Sequence, residues 1–427
     1  MKEIAIVGGG ASGILVAINL ARQSSEQVHV SIVEPRKILG QGIAYSTMDE
    51  GHVLNVPAGR MSIYMDDAGD FVNWAGCDKN YFAPRKLYSH YLLERFDSVR
   101  GGNVEFKHIC STADSIEKDE NKWRINCADG QKVSVDAVVI AIGHGKAIAL
   151  PNGDKDLTSS GYIDDPWRRF ATPKDGHMIG IGTGLTFIDY ALSHIRRNAT
   201  NTATGISRNG LLPEQHLQNR AEPLEVPDEV RVSPSEIRQF IENSQDWRAA
   251  QDGVRHQLPE IWHNWSSVQK NDFLLNDLRW WNVKRHRLAP EIAEEVRVAL
   301  EDGRIKIVPG QVDKVNQIDE VLSVALQSGE IFRGETVVNC LGYAVAGSGS
   351  VIDNLIETKV ATQAPLGLGL CTDFPRFNVI NGENRAHPNL FAIGPILFGE
   401  RFETTAIPEL REQADEIAKS LIKSFQN

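Results

Sequence analysis

Residues 1–13, MKEIAIVGGGASG, decide the fold of this chain. Residues 4–7 form a short apolar run of β-forming residues, which is typical of a strand buried on both faces. Gly8, Gly10 and Gly13 follow in the G-x-G-x-x-G spacing, and apolar residues then recur at helical spacing. A strand, a glycine-rich turn and a helix in this order predict a dinucleotide site, because the glycines let a pyrophosphate approach the helix N-terminus closely.

An acidic residue after the next strand supports this interpretation. Residues 28–33 predict a strand that ends at Glu34, about 20 residues after Gly13, where an acid binds the ribose hydroxyls. Further along, Gly42 is a candidate for close approach of the backbone to a cofactor, and a surface turn is the alternative. Asn55 lies in a stretch without periodicity and is a candidate for a polar contact to a ring or a ribose.

Arg85 stands at the start of a predicted helix that runs to about Phe96. Because the helix dipole does not favour a basic side chain there, Arg85 is a candidate for pairing with another charge, and a solvated surface arginine is the alternative. Residues 104–135 and 306–332 alternate between apolar and polar types, which predicts two antiparallel meanders. A buried strand then ends at Gly143, which predicts a glycine at the sheet edge where ligands bind.

The opening motif returns in altered form in residues 177–189, HMIGIGTGLTFID. Gly182 and Gly184 repeat the first two glycines, but Phe187 stands where the third would fall, which predicts a looser turn or a helix set farther from its strand. The next predicted strand is followed by Arg208 and by no acid. An arginine there suits a 2′-phosphate, so the second nucleotide is expected to be NADPH, with a surface arginine as the alternative.

Residues 230–300 predict a helical segment rich in tryptophan. Within it, WWNVKRHR (residues 280–287) places basic side chains beside two indoles, an arrangement that suits an acidic or aromatic substrate. Tryptophans in the core with a solvated basic edge are the alternative. His286 is a candidate proton donor or acceptor near neutral pH, and a structural histidine is the alternative.

Composition excludes several classes of protein. The net charge of −11 over 427 residues argues against general binding to nucleic acid or to anionic membranes. The five cysteines include no C-x-x-C pair, which argues against a dithiol redox site, a disulfide scaffold and a structural zinc site. Since no apolar run reaches the length of a membrane span, we expect a cytoplasmic protein. Because no cluster of metal-ligating residues is apparent in the sequence, we expect no metal centre.

Together these stretches resemble one family along almost the whole chain: the FAD/NAD(P)-binding proteins with two dinucleotide-binding folds. Within that family, the chain is most similar to the subgroup of FAD-dependent urate hydroxylases and amino-acid N-monooxygenases. The resemblance rests on the stretches IVGGGASG, GQGIAYS, LNVPAGRMS, FAPRKLYSHYL, IGTGLTFID, ISRNGLLPEQH, WWNVKRHRLAPE and ERFETTAIPELREQA.

The resemblance implies an α/β fold with two Rossmann-like dinucleotide-binding domains, for FAD and for NADPH, with β-meander inserts and a helical segment. The predicted FAD domain comprises residues 1–150 and 343–427, and the NAD(P)H domain comprises residues 170–342. Site residues that the resemblance implies fall into three groups: Gly8, Gly10, Ser12, Gly13 and Glu34 for the ADP half of FAD, Gly394 and Thr405 near the flavin, and Gly182, Gly184, Thr186 and Arg208 for NADPH.

The implied activity is that of a flavin monooxygenase. NADPH would reduce FAD, oxygen would add at C4a of the reduced flavin, and a hydroxyl would pass to a small nitrogen- or ring-containing substrate. This chemistry needs no catalytic acid, nucleophile or metal cluster of the kind that a sequence displays. An NADPH-dependent dehydrogenase or reductase without oxygen insertion is the first alternative. A nucleotide-binding scaffold or sensor with structural FAD is the second.

Overall fold

The computed structural model describes residues 1–150, 157, 161–167, 171–217, 221–318, 321–344 and 349–425. In chain order the strands are β1 (Lys2–Val7), β2 (Val28–Val33), β3 (Val104–Ile109), β4 (Ala113–Asp119), β5 (Lys122–Cys127), β6 (Lys132–Val135), β7 (Ala137–Ile140), β8 (Tyr162–Ile163), β9 (His177–Ile181), β10 (Thr202–Ser207), β11 (Ile305–Pro309), β12 (Val312–Ile318), β13 (Val321–Leu326), β14 (Ile331–Gly334), β15 (Thr336–Asn339), β16 (Asn378–Ile380) and β17 (Ala386–Ala392). The α-helices are α1 (Ala11–Gln23), α2 (Asp70–Ala75), α3 (Arg85–Ser98), α4 (Leu185–Arg197), α5 (Pro234–Asn243), α6 (Trp247–Asn264), α7 (Ser267–Asp272), α8 (Leu278–Arg285), α9 (Pro290–Glu301), α10 (Ser350–Glu357) and α11 (Ile407–Phe425).

The first sheet has the strand order β16-β17-β7-β1-β2-β3. Its pairs are parallel except for β16, which runs antiparallel to β17. Residues Ile4 to Val7 of the central strand β1 are apolar and buried, as the sequence predicts, because neighbouring strands and covering helices shield them from water. α1 packs against α11, so the first and last helices of the chain lie side by side.

The second sheet has the order β11-β10-β9-β15-β8, and its pairs are parallel. α4 packs on β9 and β10, just as a helix follows the first strand in the other sheet. β8 belongs to this sheet although it precedes residue 170, where the second domain was expected to begin. The predicted α/β class with two Rossmann-like units is confirmed.

Two small antiparallel sheets, β4-β5-β6 and β12-β13-β14, are the predicted meanders. Each prediction was wrong about its first strand. β3 pairs in parallel with β2, and β11 pairs in parallel with β10, so both are edge strands of the large sheets. In β3, Glu105 and Lys107 are exposed whereas Val104 and Ile109 are buried. An edge strand covered on one face shows the same alternation as a meander strand, so the pattern could not tell them apart.

The helical segment has a core of its own, built from aromatic side chains. Trp262, Phe273, Trp281 and Phe402 are buried together. Trp262 Nε1 donates a hydrogen bond of 2.9 Å to the carbonyl oxygen of Gly399, which ties this core to the chain after β17. The indoles therefore lie largely in the core. In the described part of the chain, none of the helices combines the length and the apolar character needed to cross a bilayer.

Candidate functional site

The turn between β1 and α1, which we call the first cradle, needs glycine at its ends. Gly8 has a φ of +107°, and a Cβ on it would lie 2.2 Å from the carbonyl oxygen of Ala141, the residue after β7. A Cβ on Gly13 would lie 2.1 Å from the carbonyl oxygen of Gly8. The helix therefore starts in direct contact with its own strand, as the fingerprint predicts. Gly143, with a φ of +73°, follows β7 at the same sheet edge.

The middle glycine of the first cradle faces another glycine. A Cβ on Gly10 would lie 3.4 Å from Cα of Gly42, whose own φ is +54°. Gly10 is also the N-cap of α1, which has no side-chain cap and no acid in its first turn. The N-terminal N–H groups of α1 thus meet no competing side-chain anion, and a narrow gap without side chains lies above them. This arrangement fits a pyrophosphate.

Glu34 lies directly beside the first cradle. Its carboxylate is buried, and it accepts hydrogen bonds from the backbone N–H of Gly9 at 2.9 Å and of Arg36 at 3.0 Å. The acid that was predicted from spacing thus lies where a ribose attached to the pyrophosphate would extend. The residues present fit the ADP half of FAD.

The two ends of the chain meet at this site. A Cβ on Gly394, whose φ is +83°, would lie 3.0 Å from Oγ of Ser12 in α1. Gly394 is held by α11, because its N–H donates to Oε1 of Gln413 at 2.9 Å. Thr404 donates its hydroxyl to the carbonyl oxygen of Gly394 at 3.0 Å. The structure therefore brings Ser12 and Gly394 together, whereas Gln413 and Thr404 carried no sequence signal.

The second cradle, between β9 and α4, repeats this geometry. Gly182 has a φ of +102°, and a Cβ on it would lie 2.5 Å from the carbonyl oxygen of Cys340, the residue after β15. Gly184 is the N-cap of α4, again without a side-chain cap and with open space where its Cβ would be. Thr186, in the first turn, accepts a hydrogen bond of 3.1 Å from Nε1 of Trp167.

Phe187 explains how the second cradle works without a third glycine. Its ring is fully buried under α4. A Cβ on Gly180 would lie 2.3 Å from this ring, and a Cβ on Gly205 would lie 2.7 Å from it. In the first cradle, Gly13 on the helix allows the helix to lie close to its strand. In the second cradle, Gly180 and Gly205 on the strands beneath the helix make the room that the Phe187 ring needs.

A pair of arginines lies beyond the second cradle. Arg279, on α8, donates hydrogen bonds to Oγ1 of Thr183 at 3.2 Å and to the carbonyl oxygen of Leu211 at 3.1 Å. Burial lowers the pKa of Arg279, and the charge of Arg208 lowers that pKa further. Among the described residues, neither guanidinium has a carboxylate within ion-pair distance. Arg208 was predicted, but Arg279 was missed because it lies far away in the sequence.

Four of the predicted site residues line one cleft of about 230 Å³. They are Asn55 and Arg85 from the first part of the chain, His286 from the helical segment and Thr405 just before α11. Its lining comprises Ala44, Tyr45, Leu54, Asn55, Val56, Met61, Arg85, Arg285, His286, Thr405, Ala406 and Ile407. Burial raises the pKa of Tyr45, so its phenol keeps its proton.

Arg85 pairs with a charge, as its position predicted. Its Nη2 donates to Oδ2 of Asp189 at 2.7 Å, and its Nε donates to the carbonyl oxygen of Val53 at 3.2 Å. Asp189 lies on α4, two turns before the end of that helix. The helix of the second cradle is therefore bonded to a residue that lines the cleft.

Arg285 lies next to a buried acid that sequence reasoning missed. Nε of Arg285 donates to Oε2 of Glu403 at 3.1 Å, and Trp281 Nε1 donates to Oε1 of Glu403 at 3.0 Å. Burial opposes the charge of Glu403, but Arg285 and Arg255 outweigh it and lower the pKa of this carboxyl to about 2. Glu403 is therefore ionised at neutral pH and orients Arg285.

His286 follows Arg285 at the C-cap of α8. Burial and then the nearby charge of Arg285 lower the pKa of His286 from 6.5 to about 4. Its imidazole is neutral at pH 7, so it can donate or accept a hydrogen bond in the cleft, but its low pKa makes it a weak base. The described residues contain no group of three or more His, Cys, Asp or Glu side chains able to hold a metal ion.

Part of the chain matches a known protein family. Residues 5–145 match the FAD-NAD(P)-binding family. The matched residues run from β1 through the first cradle, Glu34 and the cleft residues before α3 to the strand that closes at Gly143. The prediction of an FAD/NAD(P)-binding protein is confirmed.

Three proteins illustrate what the chain is similar to. Uncharacterized protein YdhS of Escherichia coli (strain K12) is 26% identical over 256 residues, which are 50% of this chain and 47% of that protein, so the match spans about half the length of that relative. The ornithine N-hydroxylase of Kutzneria sp. 744, solved with reduced FAD, NADP+ and L-ornithine, has a TM-score of 0.66 at 14% identity over 100% of this chain and 99% of its own. The bacillithiol disulfide reductase of Bacillus cereus has a TM-score of 0.60 at 14% identity over 99% of both chains.

Proposed function

We propose that this protein is an FAD-dependent, NADPH-consuming oxidoreductase, and more specifically a monooxygenase that hydroxylates a small nitrogen- or ring-containing substrate. One observation carries the proposal: a single cleft is lined by residues of the FAD-side loops and of α11, and one of its lining residues, Arg85, is bonded to the helix of the second cradle. A nicotinamide held by the second cradle and a flavin held by the first can therefore meet there.

Each cradle has the residues for its own nucleotide. Gly8, Gly10 and Gly13 with Glu34 would hold the ADP half of FAD, and the open N-terminus of α4 would hold the pyrophosphate of NADPH. Arg208 and Arg279 supply two positive charges without a carboxylate partner among the described residues, which suits a 2′-phosphate. Bound FAD would supply the redox chemistry, accepting hydride and activating oxygen.

The cleft residues would position the substrate and keep water out. Leu54, Val56, Met61 and Ile407 give the cleft apolar sides, and Tyr45 stays protonated. Neutral His286 can position the substrate group that is hydroxylated through a hydrogen bond. Thr405 and Ala406 lie at the start of α11, whose positive end would stabilise negative charge on a reduced ring.

A reductase without oxygen insertion is the second candidate. It is favoured by the similarity in fold to the bacillithiol disulfide reductase. Against it, none of the cleft-lining residues that the structure describes is a cysteine. Burial also raises the pKa of the Cys371 thiol to about 12, which makes that thiol a poor nucleophile. The monooxygenase therefore has the stronger support.

The test starts from purified, flavin-loaded protein reduced anaerobically with NADPH. On addition of ¹⁸O-labelled oxygen and a panel of small amines, amino acids and heterocyclic rings, we expect at least one compound to stimulate NADPH consumption and to gain one labelled oxygen. Faster reoxidation by a quinone than by oxygen, without labelled product from any compound, would instead identify a reductase. Gly184→Val is the matched control: it should keep the flavin and lose reduction by NADPH.

A further inference from the structure

The lining of the cleft offers hydrogen-bond donors and no carboxylate. Its charged residues are two arginines, Arg85 and Arg285, and its other polar side chains are those of Tyr45, Asn55, His286 and Thr405. No aspartate or glutamate is among the lining residues that the structure describes. Arg85 and Arg285 are each paired with a carboxylate that does not line the cleft, Asp189 and Glu403. An ammonium group placed in this cleft would therefore meet two guanidinium groups and no lining carboxylate to bind it, which would be unfavourable in a partly enclosed space.

Arg285 is held so that part of its donor fork remains available. Its Nε and Nη2 are engaged by the carboxylate of Glu403, at distances of 3.1 Å. Its Nη1 donates to no residue in the described part of the chain, although the side chain is only 7% exposed. A buried and oriented guanidinium with an N–H group left without a partner can bind a planar acceptor such as a carboxylate.

Glu403 binds one edge of the Arg285 guanidinium and leaves the Nη1 group for a ligand. It is not a lining residue, and its oxygens are engaged by Trp281 and Arg285, with Arg255 Nε 3.8 Å away. Arg255 is in turn paired with Glu409. Neither acid is among the lining residues, and Glu403 holds Nε and Nη2 of Arg285 while Nη1 is left without a described partner.

We infer that the cleft recognises the negatively charged end of its substrate, a carboxylate or a ring oxyanion, through Arg285. This inference rests on the proposed function, since it names the substrate class of the same site. Glu403 acts as a positioning residue that fixes the guanidinium. Reduced flavin is another possible source of negative charge, but the start of α11 already offers a positive helix end at the cleft for that purpose.

The test uses three ligands of nearly equal shape on the flavin-loaded wild-type protein: benzoate, benzamide and benzylamine. Isothermal titration calorimetry should show benzoate binding about 10-fold or more tightly than benzamide, because one charge-assisted hydrogen bond separates the two, and no binding of benzylamine. Equal affinities for benzoate and benzamide, or a preference for benzylamine, would overturn the inference without affecting the proposed function. Protein that cannot be loaded with flavin would instead overturn the proposed function.

Variants of Arg285 test whether this arginine binds the substrate or the flavin. Arg285→Gln should weaken benzoate binding about 10- to 100-fold and leave benzamide binding unchanged, whereas Arg285→Lys should fall between because it lacks the planar fork. The flavin midpoint potential should not move. A shifted potential with unchanged benzoate affinity would show that Arg285 serves the flavin, and the inference would be wrong. The control is Arg238→Gln, which changes an arginine of the same helical segment outside the cleft. If Arg285→Gln does not fold, the relative affinities of the three ligands for the wild-type protein still test the inference.

Discussion

Arg85 and Asp189 are 104 positions apart in the chain and are joined by a hydrogen bond of 2.7 Å between Nη2 and Oδ2. Both side chains are largely buried, at 16% and 11% exposure. Arg85 begins α3 and lines the cleft, whereas Asp189 lies on the helix whose N-terminus forms the second cradle. Next to them, fully buried His52 contacts Oγ of Ser193, also on α4, at 3.0 Å. A polar seam along α4 thus holds the two nucleotide units in one relative position.

Asp189→Asn should disturb the relative position of the two nucleotide units more than it disturbs either cradle. We expect hydride transfer from NADPH to flavin to slow by about 10-fold, because a small misplacement of the reacting rings is costly, while flavin content stays normal. Stopped-flow reduction under anaerobic conditions measures this rate. Asp175→Asn is the control, because it removes the charge of an exposed ion pair at the other end of α4. Equal rates in both variants would contradict the expected role of the seam.

Gly10→Val should abolish flavin binding. The side chain would fill the gap of 3.4 Å that separates the position of its Cβ from Gly42, where the pyrophosphate is expected to pass. The visible absorbance of the purified variant is the measurement, with circular dichroism to confirm folding. Gly102→Val, in an exposed turn after α3, should remain yellow. A folded and yellow Gly10→Val protein would rule out the first cradle as the FAD site.

Arg279→Gln and Arg208→Gln should each alter the choice of nicotinamide nucleotide. Loss of one charge-assisted bond to a 2′-phosphate is expected to raise KM for NADPH about 10- to 100-fold and to leave KM for NADH nearly unchanged. Steady-state oxidation of both nucleotides tests this. Arg333→Gln, at an exposed site on β14, should change neither value. Parallel increases for NADPH and NADH would mean that these arginines do not contact the 2′-phosphate.

Phe187 and Gly205 should be coupled energetically. Phe187→Ala is expected to lower the free energy of unfolding by about 3–5 kcal/mol, since it leaves a cavity beneath α4. Gly205→Ala alone should also destabilise, because its Cβ would lie 2.7 Å from the Phe187 ring, and should cost less once that ring is gone, when the contact of 3.0 Å with Cγ2 of Thr183 remains. Urea unfolding of the two single variants and the double variant gives the coupling. Strict additivity would show that the strand glycines do not make room for the ring.

His286 should make stability depend on pH. Its pKa of about 4 in the folded protein is below the value of 6.5 expected in the unfolded chain, so between these values only the unfolded chain gains the proton. The free energy of unfolding therefore decreases as the pH falls from about 6.5 to about 4. In His286→Gln, the decrease between pH 7 and pH 5 should be smaller by about 1–2 kcal/mol. Urea unfolding at pH 7 and pH 5 measures it. His90→Gln, at an exposed site on α3, is the control, and an unchanged pH dependence in His286→Gln would show that this histidine is not desolvated.

The two cradles could be predicted from sequence because their geometry is encoded locally. Gly8 and Gly182 both adopt a positive φ above 100°, and each lies against the carbonyl oxygen that follows a closing strand. A glycine is required wherever the backbone takes this conformation at such close range, so its position in the sequence reports the turn directly. Glu34 and Arg208 were found for a similar reason, since each directly follows a strand whose length the sequence shows.

The cleft could be predicted only in part. Asn55, Arg85, His286 and Thr405 were singled out one by one, but no pattern showed that they line one cavity. Arg279 and Glu403 gave no usable signal, because a charged residue on a helix or in a loop is most often solvated. The strands β3 and β11 were misassigned for a related reason: burial on one face has the same periodicity in a parallel edge strand and in a meander.

The sequence by itself thus determined the strand–glycine–helix turns and, through them, the fold class and the prediction of FAD and NAD(P) as cofactors. Those features depend on the conformations allowed to a few consecutive residues. Only the tertiary structure decided that Arg85 meets Asp189, that Arg279 joins Arg208, and that Glu403 orients Arg285. These pairs lie far apart along the chain, and their distances are set by how sheets and helices pack, which no local pattern records.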